Sequence, residues 1–227
     1  MTDATATDAT ETPASETETA RLELAAAVLL GLATVAIAWA AYQANLWGGL
    51  QDKALTESAN LTTQAIGSYN EAASLISFDQ SLFVEIVLQF TRDQASADAA
   101  DPADTMDVSE TIDFLLANMT EEGQAAVNEW FENDLALPFT DEYYDTFYAA
   151  GDELFAQSDE RFESGSESNT NGDRYVLVST FLAAVLFFAG ISTVLSEPRI
   201  RTGFLGLGAL MLLGSVIYLL TLPIASL

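Results

Sequence analysis

The stretch LAAAVLLGLATVAIAWAAYQANLWGGLQ, residues 24–51, runs for 28 residues without a formal charge. A bilayer's hydrocarbon core is about 30 Å thick, and a helix of about 20 apolar residues spans it. Two further uncharged apolar runs follow, YVLVSTFLAAVLFFAGISTVLS at 175–196 and TGFLGLGALMLLGSVIYLLTLPIASL at 202–227. The pattern predicts an all-α integral membrane protein with spans at 22–46, 175–196 and 202–222. A water-exposed domain, residues 47–173, falls between the first two, and its periodicities suggest a four- to five-helix soluble bundle.

The chain holds 34 acidic residues against seven basic ones. Residues 43–173 carry 27 acids against Lys53, Arg92 and Arg161, a net charge of −24. Such a charge repels itself and loosens a compact domain in dilute buffer. At molar salt the Debye length falls to about 3 Å and the repulsion is screened. The composition therefore reads as halophilic; the competing reading is an acidic surface for a basic partner. Nucleic acid is a poor candidate, because phosphate binding needs clustered Lys and Arg. With no Cys and no His, disulfides, thiol nucleophiles, the usual zinc and haem ligands and the commonest general base are absent.

Residues 1–20, rich in Thr, Ala and acids, read as a disordered acidic tail. They lack the basic n-region of a signal peptide, so the first span is expected to be an uncleaved anchor. That span carries small residues at Ala27, Gly31, Thr34, Ala38 and Ala41, a face expected to pack on the second span at Ser179, Ala183 and Gly190. Trp39, Tyr42 and Trp47 form the aromatic belt. The same phase continues through Asn45, Gly48, Asp52, Leu55, Ala59, Thr62, Ile66, Tyr69, Ala73 and Ile76, implying one long helix with Gly48-Gly49 as the place for a kink. Phe78-Asp79 is expected to break it. Gln80–Arg92 is then a separate helix, either the buried centre of the domain or a segment lying on the bilayer. Ala95–Met106 reads as a loop, and Asp107 with Glu110 as the capping pair of the next helix. Thr120 caps another, which Pro138 closes. The last soluble helix has its apolar face at Tyr144, Phe147/Tyr148, Gly151, Phe155, Ser158 and Phe162. Residues 164–172 read either as a break or as a polar piece of helix.

Arg21, Arg199 and Arg201 fall on one side of three spans, a positive-inside signal that places the N-terminus in the cytoplasm and residues 47–173 outside. Two sequons lie in that domain, at Asn60 and Asn118. The acids of residues 98–107 offer oxygens for Ca²⁺, but the glycine and terminal Glu of an EF-hand loop are missing, and a solvated loop is the simpler reading. No pair of carboxylates is singled out for acid–base work. The spans hold no ionisable residue in their interiors, which argues against a transporter acting alone. Gly203, Gly206, Gly208 and Gly214 in the third span read as packing positions.

AAYQANLWGGLQ at 40–51, NGDRYVL at 171–177 and LFFAGI at 186–191 resemble motifs of a prokaryotic, haloarchaeal-type family of three-span membrane proteins with a helical extracytoplasmic insert. The likeness covers about residues 21–223. That family has no assigned activity, so no functional residue is carried over; it implies that residues 164–172 are helical. Function is thus expected to be non-enzymatic, a surface scaffold, sensor or accessory subunit in the cell membrane. The alternative is a subunit of a transporter or channel. No catalytic, cofactor-binding or metal-binding residue is assigned. The partners expected are the lipid bilayer and either a second copy or another membrane protein.

The charge on residues 43–173 makes a direct prediction. Circular dichroism of this segment should show helix in molar KCl and lose it on dilution. Full helicity with an unchanged melting temperature in millimolar salt would refute it.

Overall fold

A computed structural model of the chain describes residues 13–97, 108–133 and 137–226. These form five helices: α1 (Pro13–Ala97), α2 (Val108–Ala117), α3 (Glu121–Asn133), α4 (Asp141–Val194) and α5 (Pro198–Thr221). The fold is all-α. Helices α1, α4 and α5 each contain a stretch long and apolar enough to cross a membrane, and α2 and α3 form a smaller insert between the first two. The helices divide into two compact units: Met1–Leu55 with Glu163–Leu227, and Thr56–Phe162.

Several sequence expectations change. Pro13–Ala20, expected as part of the disordered tail, begins α1; residues 1–12 lie outside the described residues. The expected break at Phe78-Asp79 is absent, and Gln80–Arg92 is the last part of α1 rather than a separate helix. Residues 95–97 close that helix, whereas the acid loop at 98–107, with the Asp107 cap, lies outside the described residues. Glu110 does stand in the first turn of α2. Residues 164–172 are helical, within α4. Pro198 opens α5 instead of sitting in the loop before it, since its missing N–H is no loss at a helix start.

The face of α1 that is buried also differs from the one expected. Ala27, Gly31, Thr34, Ala38 and Ala41 are all exposed, and a Cβ added at Gly31 meets nothing within 4 Å. Apart from Gln43, the buried positions are Ala26, Ala33, Ala40 and Ala54. They fall on a seven-residue repeat, the period of helices that wind around each other left-handedly. Alanine at those positions lets the α1 backbone come close to its neighbour. In the first unit that neighbour is α4, as expected, but through Tyr175, Val178 and Leu182, which form one core with Ala40 and Leu222. Ser179 is half-buried, Ala183 is exposed, and Gly190 has open space at its Cβ position. In α5, Gly208 alone among the four expected packing glycines meets a neighbour, Leu29 of α1 at 3.0 Å.

Beyond the apolar run the buried positions of α1 are Ser58, Ala65, Ala72, Asp79 and Ile86, again seven apart, with Ile76 between Ala72 and Asp79. Between Ala54 and Ser58 the register steps by four instead. In α4 the set changes by three, from Ser158 and Gly165 to Ser168, Tyr175, Leu182 and Ala189. Steps of three and four are the ordinary spacings between the two inward positions of a seven-residue repeat.

The second unit has its own core, Ile86, Met119 and Val127, with Leu82, Phe83, Ile112 and Phe139 packed on it. Thus only one side of the apolar 80–92 stretch is covered; Val84, Leu88 and Phe90 are exposed. Within the acidic part of α4, Tyr143 is buried while Tyr144 is half-buried, and Phe162 is exposed. Gly151 is required by close approach: a Cβ there would lie 2.5 Å from the Tyr69 ring.

The observed seam makes a mutational prediction for the first span. Ala33→Leu, at a fully buried position, should destabilise by about 1–3 kcal/mol through overpacking. Gly31→Leu should be close to silent. Thermal melting of both variants in detergent measures this, and a larger loss for Gly31→Leu would refute the assignment of the seam.

Candidate functional site

Each unit contains buried polar groups that bond one another. In the second unit a cluster is built around Asp79. Because Asp79 follows Ala72 by one heptad, α1 turns its carboxylate inward, and the residue is fully buried. A buried carboxylate is tolerable only with hydrogen-bond donors around it. The Thr120 N–H donates to Oδ1 at 2.9 Å, and the Tyr143 hydroxyl donates to Oδ2 at 2.9 Å. The Thr120 hydroxyl also donates to Oδ2, and accepts the N–H of Gly123 at 2.9 Å. Thr120 is therefore the expected cap of α3. Asp79 extends that cap to a second helix and places negative charge at the positive end of the α3 dipole. Gly123 leaves room for the carboxylate: a Cβ there would collide with its oxygens.

Burial pushes the Tyr143 phenol well above its ordinary range, and the hydrogen bond to Asp79 and its charge add to the shift. Aromatic rings close over the cluster: Phe139 and Phe147 lie 4.7 and 5.0 Å from Tyr143, and Phe83 stands edge-on to Trp130 at 5.1 Å. Further along the same helices, Ser158 bonds the hydroxyls of Ser58 and Thr62 at 3.0 and 2.8 Å. The Tyr69 hydroxyl donates to Asp152, and this bond is the main cause of its own raised pKa.

In the first unit a cluster gathers residues of the motifs at 40–51 and 171–177. The chain after α5 turns back, and the buried Gln43 side-chain oxygen accepts the Ala225 N–H at 2.9 Å. The Pro223 carbonyl accepts from the Trp47 indole at 3.2 Å and from the Tyr175 hydroxyl at 3.1 Å. Gly172 faces Trp47, with its Cβ position 3.5 Å from the Trp47 Cβ. Trp39 and Tyr42 remain exposed, as belt residues should.

The sequon residue Asn60 is exposed on α1. It lines an open groove of about 510 Å³ with Glu57, Gln64, Gln157, Glu160 and Arg161. Arg161 pairs there with Glu57 at 3.5 Å. Asn118 is also exposed, and its amide donates to the Phe114 carbonyl at 2.7 Å. A second groove, about 230 Å³, runs beside Tyr143 and holds Glu122, Glu129 and Glu142. Among the described residues no three acids converge as metal ligands.

Asp79 and Gln43 are the residues that sequence reasoning misses. Asp79 lies on the seven-residue repeat of Ala65 and Ala72, and Gln43 stands three residues after Ala40 on the same buried side; a polar residue in such a pattern is the signal that could have found them. No protein-family model matches the chain, and no curated protein or solved structure matches it either.

Two substitutions test the Asp79 cluster. Gly123→Ala should destabilise the protein by about 1–3 kcal/mol, because the carboxylate must leave its donors. Tyr143 gives a pH signature. Its folded pKa lies above the unfolded value of about 10, so its contribution is complete below that pH and is lost as pH rises past it. The wild type should therefore lose stability above about pH 10 more steeply than Tyr143→Phe in urea titrations. Parallel curves would refute the role of the phenol.

Proposed function

We propose that this chain is a non-enzymatic membrane protein, a surface scaffold, sensor or accessory subunit, with its N-terminus in the cytoplasm and its acidic domain outside the cell. One observation carries the reading. The buried polar groups of the acidic unit are committed to one another: Asp79 is held by Thr120 and Tyr143, and Ser158 by Ser58 and Thr62. Such bonds tie helices together and specify their register. They keep Asp79 buried among its donors, whereas acid–base chemistry needs its group open to a substrate.

The orientation rests on Arg21, Arg199 and Arg201. The acidic surface suits a saline exterior, and the bundle of helical segments gives it an area on which a partner protein can dock. That partner is a second copy or another membrane protein. The likeness to the three-span family with an extracytoplasmic insert agrees with this reading.

Two experiments test it. Single cysteines at the exposed positions Ser166 and Ser196 can be probed on intact cells with an impermeant thiol reagent. Ser166 should label and Ser196 should not; the opposite pattern would overturn the topology. Ser158 is unsuitable, being buried and hydrogen-bonded. Mild-detergent purification should recover a stoichiometric partner or a stable homo-oligomer. Ion conductance or solute flux after reconstitution of the chain alone would instead favour the transporter or channel reading.

A further inference from the structure

Arg201 stands in the first turn of α5, and only 7% of its side chain is exposed. Its Nε and Nη2 are buried and make no hydrogen bond. Glu23 lies nearby, with its Oε1 3.7 Å from Nη2, but that is an ion pair too long for a hydrogen bond, and Glu23 is 65% exposed. A guanidinium carries five N–H donors and loses much by burial without acceptors.

The surroundings increase the demand for an anion. The first turn of α5 contains no acid, and the N-cap Glu197 makes no side-chain capping bond. Pro198 has no N–H, and the next two N–H groups precede the first intrahelical bond, which runs from the Arg201 N–H to the Glu197 carbonyl. The helix dipole adds positive potential at this end. A side chain in a first helical turn leans back toward the N-terminus, the end of α5 where the free N–H groups lie. This end lies at the edge of the charge-free run that starts at Thr202, the depth at which lipid headgroups meet the hydrocarbon.

We infer that the N-terminal turn of α5 is a phosphate-binding site anchored by Arg201. A phosphate offers several acceptor oxygens that match the planar fork of a guanidinium and can also take backbone N–H groups. The group comes from a lipid headgroup or from free phosphate. Glu23, mostly in water, competes for the same guanidinium from the outer side. The inference needs the chain to be in a membrane or micelle; it does not depend on the scaffold role or on which face is cytoplasmic.

The test uses the full chain in detergent micelles at molar KCl, with binding followed by calorimetry. The probes are dihexanoylphosphatidic acid, inorganic phosphate and dihexanoylglycerol. Saturable binding of the phosphatidic acid, with none for dihexanoylglycerol, is the expected result and identifies the lipid as the source. Binding of inorganic phosphate with equal affinity identifies the free ion. Arg201→Gln should weaken binding by about tenfold or more, while Arg21→Gln, an exposed cation on the same side, should change it by less than about threefold. Glu23→Gln should tighten binding by removing the competing carboxylate. Equal affinity for wild type and Arg201→Gln, equal losses in both arginine variants, or no binding of either phosphate probe would overturn the site. If Arg201→Gln loses its helical circular dichroism, Glu23→Gln decides, and unchanged or weaker binding there overturns it.

Discussion

Close approach of α1 to its neighbours is the constraint on which the remaining structure depends. Lipid tails are as apolar as leucine, so helices in a bilayer gain little from hiding apolar side chains from one another. Dispersion between closely placed backbones must supply the attraction instead. The buried alanines at 26, 33, 40 and 54 allow that approach, and Ala65 and Ala72 repeat the device in the acidic unit. Where the seam turns polar, the groups are met from neighbouring elements. Asp79 receives donors from the α2–α3 connection and from α4, and Gln43 receives the chain that follows α5.

The helical class and the three apolar stretches are legible in the sequence, whereas residues 164–172 by themselves read equally as a break or as helix. Length and hydropathy decide the first two, because the backbone in a bilayer must satisfy its own hydrogen bonds. The choice of face is not legible. In a run as rich in alanine as 24–41, the sets beginning at Ala26 and Ala27 both carry small residues at helical spacing, and composition cannot choose between them.

Asp79 misleads for a different reason. An aspartate after Phe78 in a helical pattern suggests a stop, because its side chain competes for nearby backbone N–H groups. Here the competition is resolved at a distance of 41 residues in sequence, where Asp79 serves the Thr120 turn. Tertiary capping of this kind has no local signature. The buried Arg201 is similar: a positive-inside count registers its charge but not its burial.

The hook formed by the residues after α5 has a consequence for how the chain is made. Gln43 leaves the ribosome 182 residues before the Ala225 N–H that its side-chain oxygen accepts. Until then a polar amide sits on an otherwise apolar helix face without its mate, as do the Trp47 and Tyr175 donors that share the Pro223 carbonyl. The membrane unit is thus closed by residues that follow α5, made long after α1. A nascent chain arrested before Pro223 presents three unmet polar groups on α1 and α4, the kind of mark by which membrane quality control can tell an unfinished protein from a finished one.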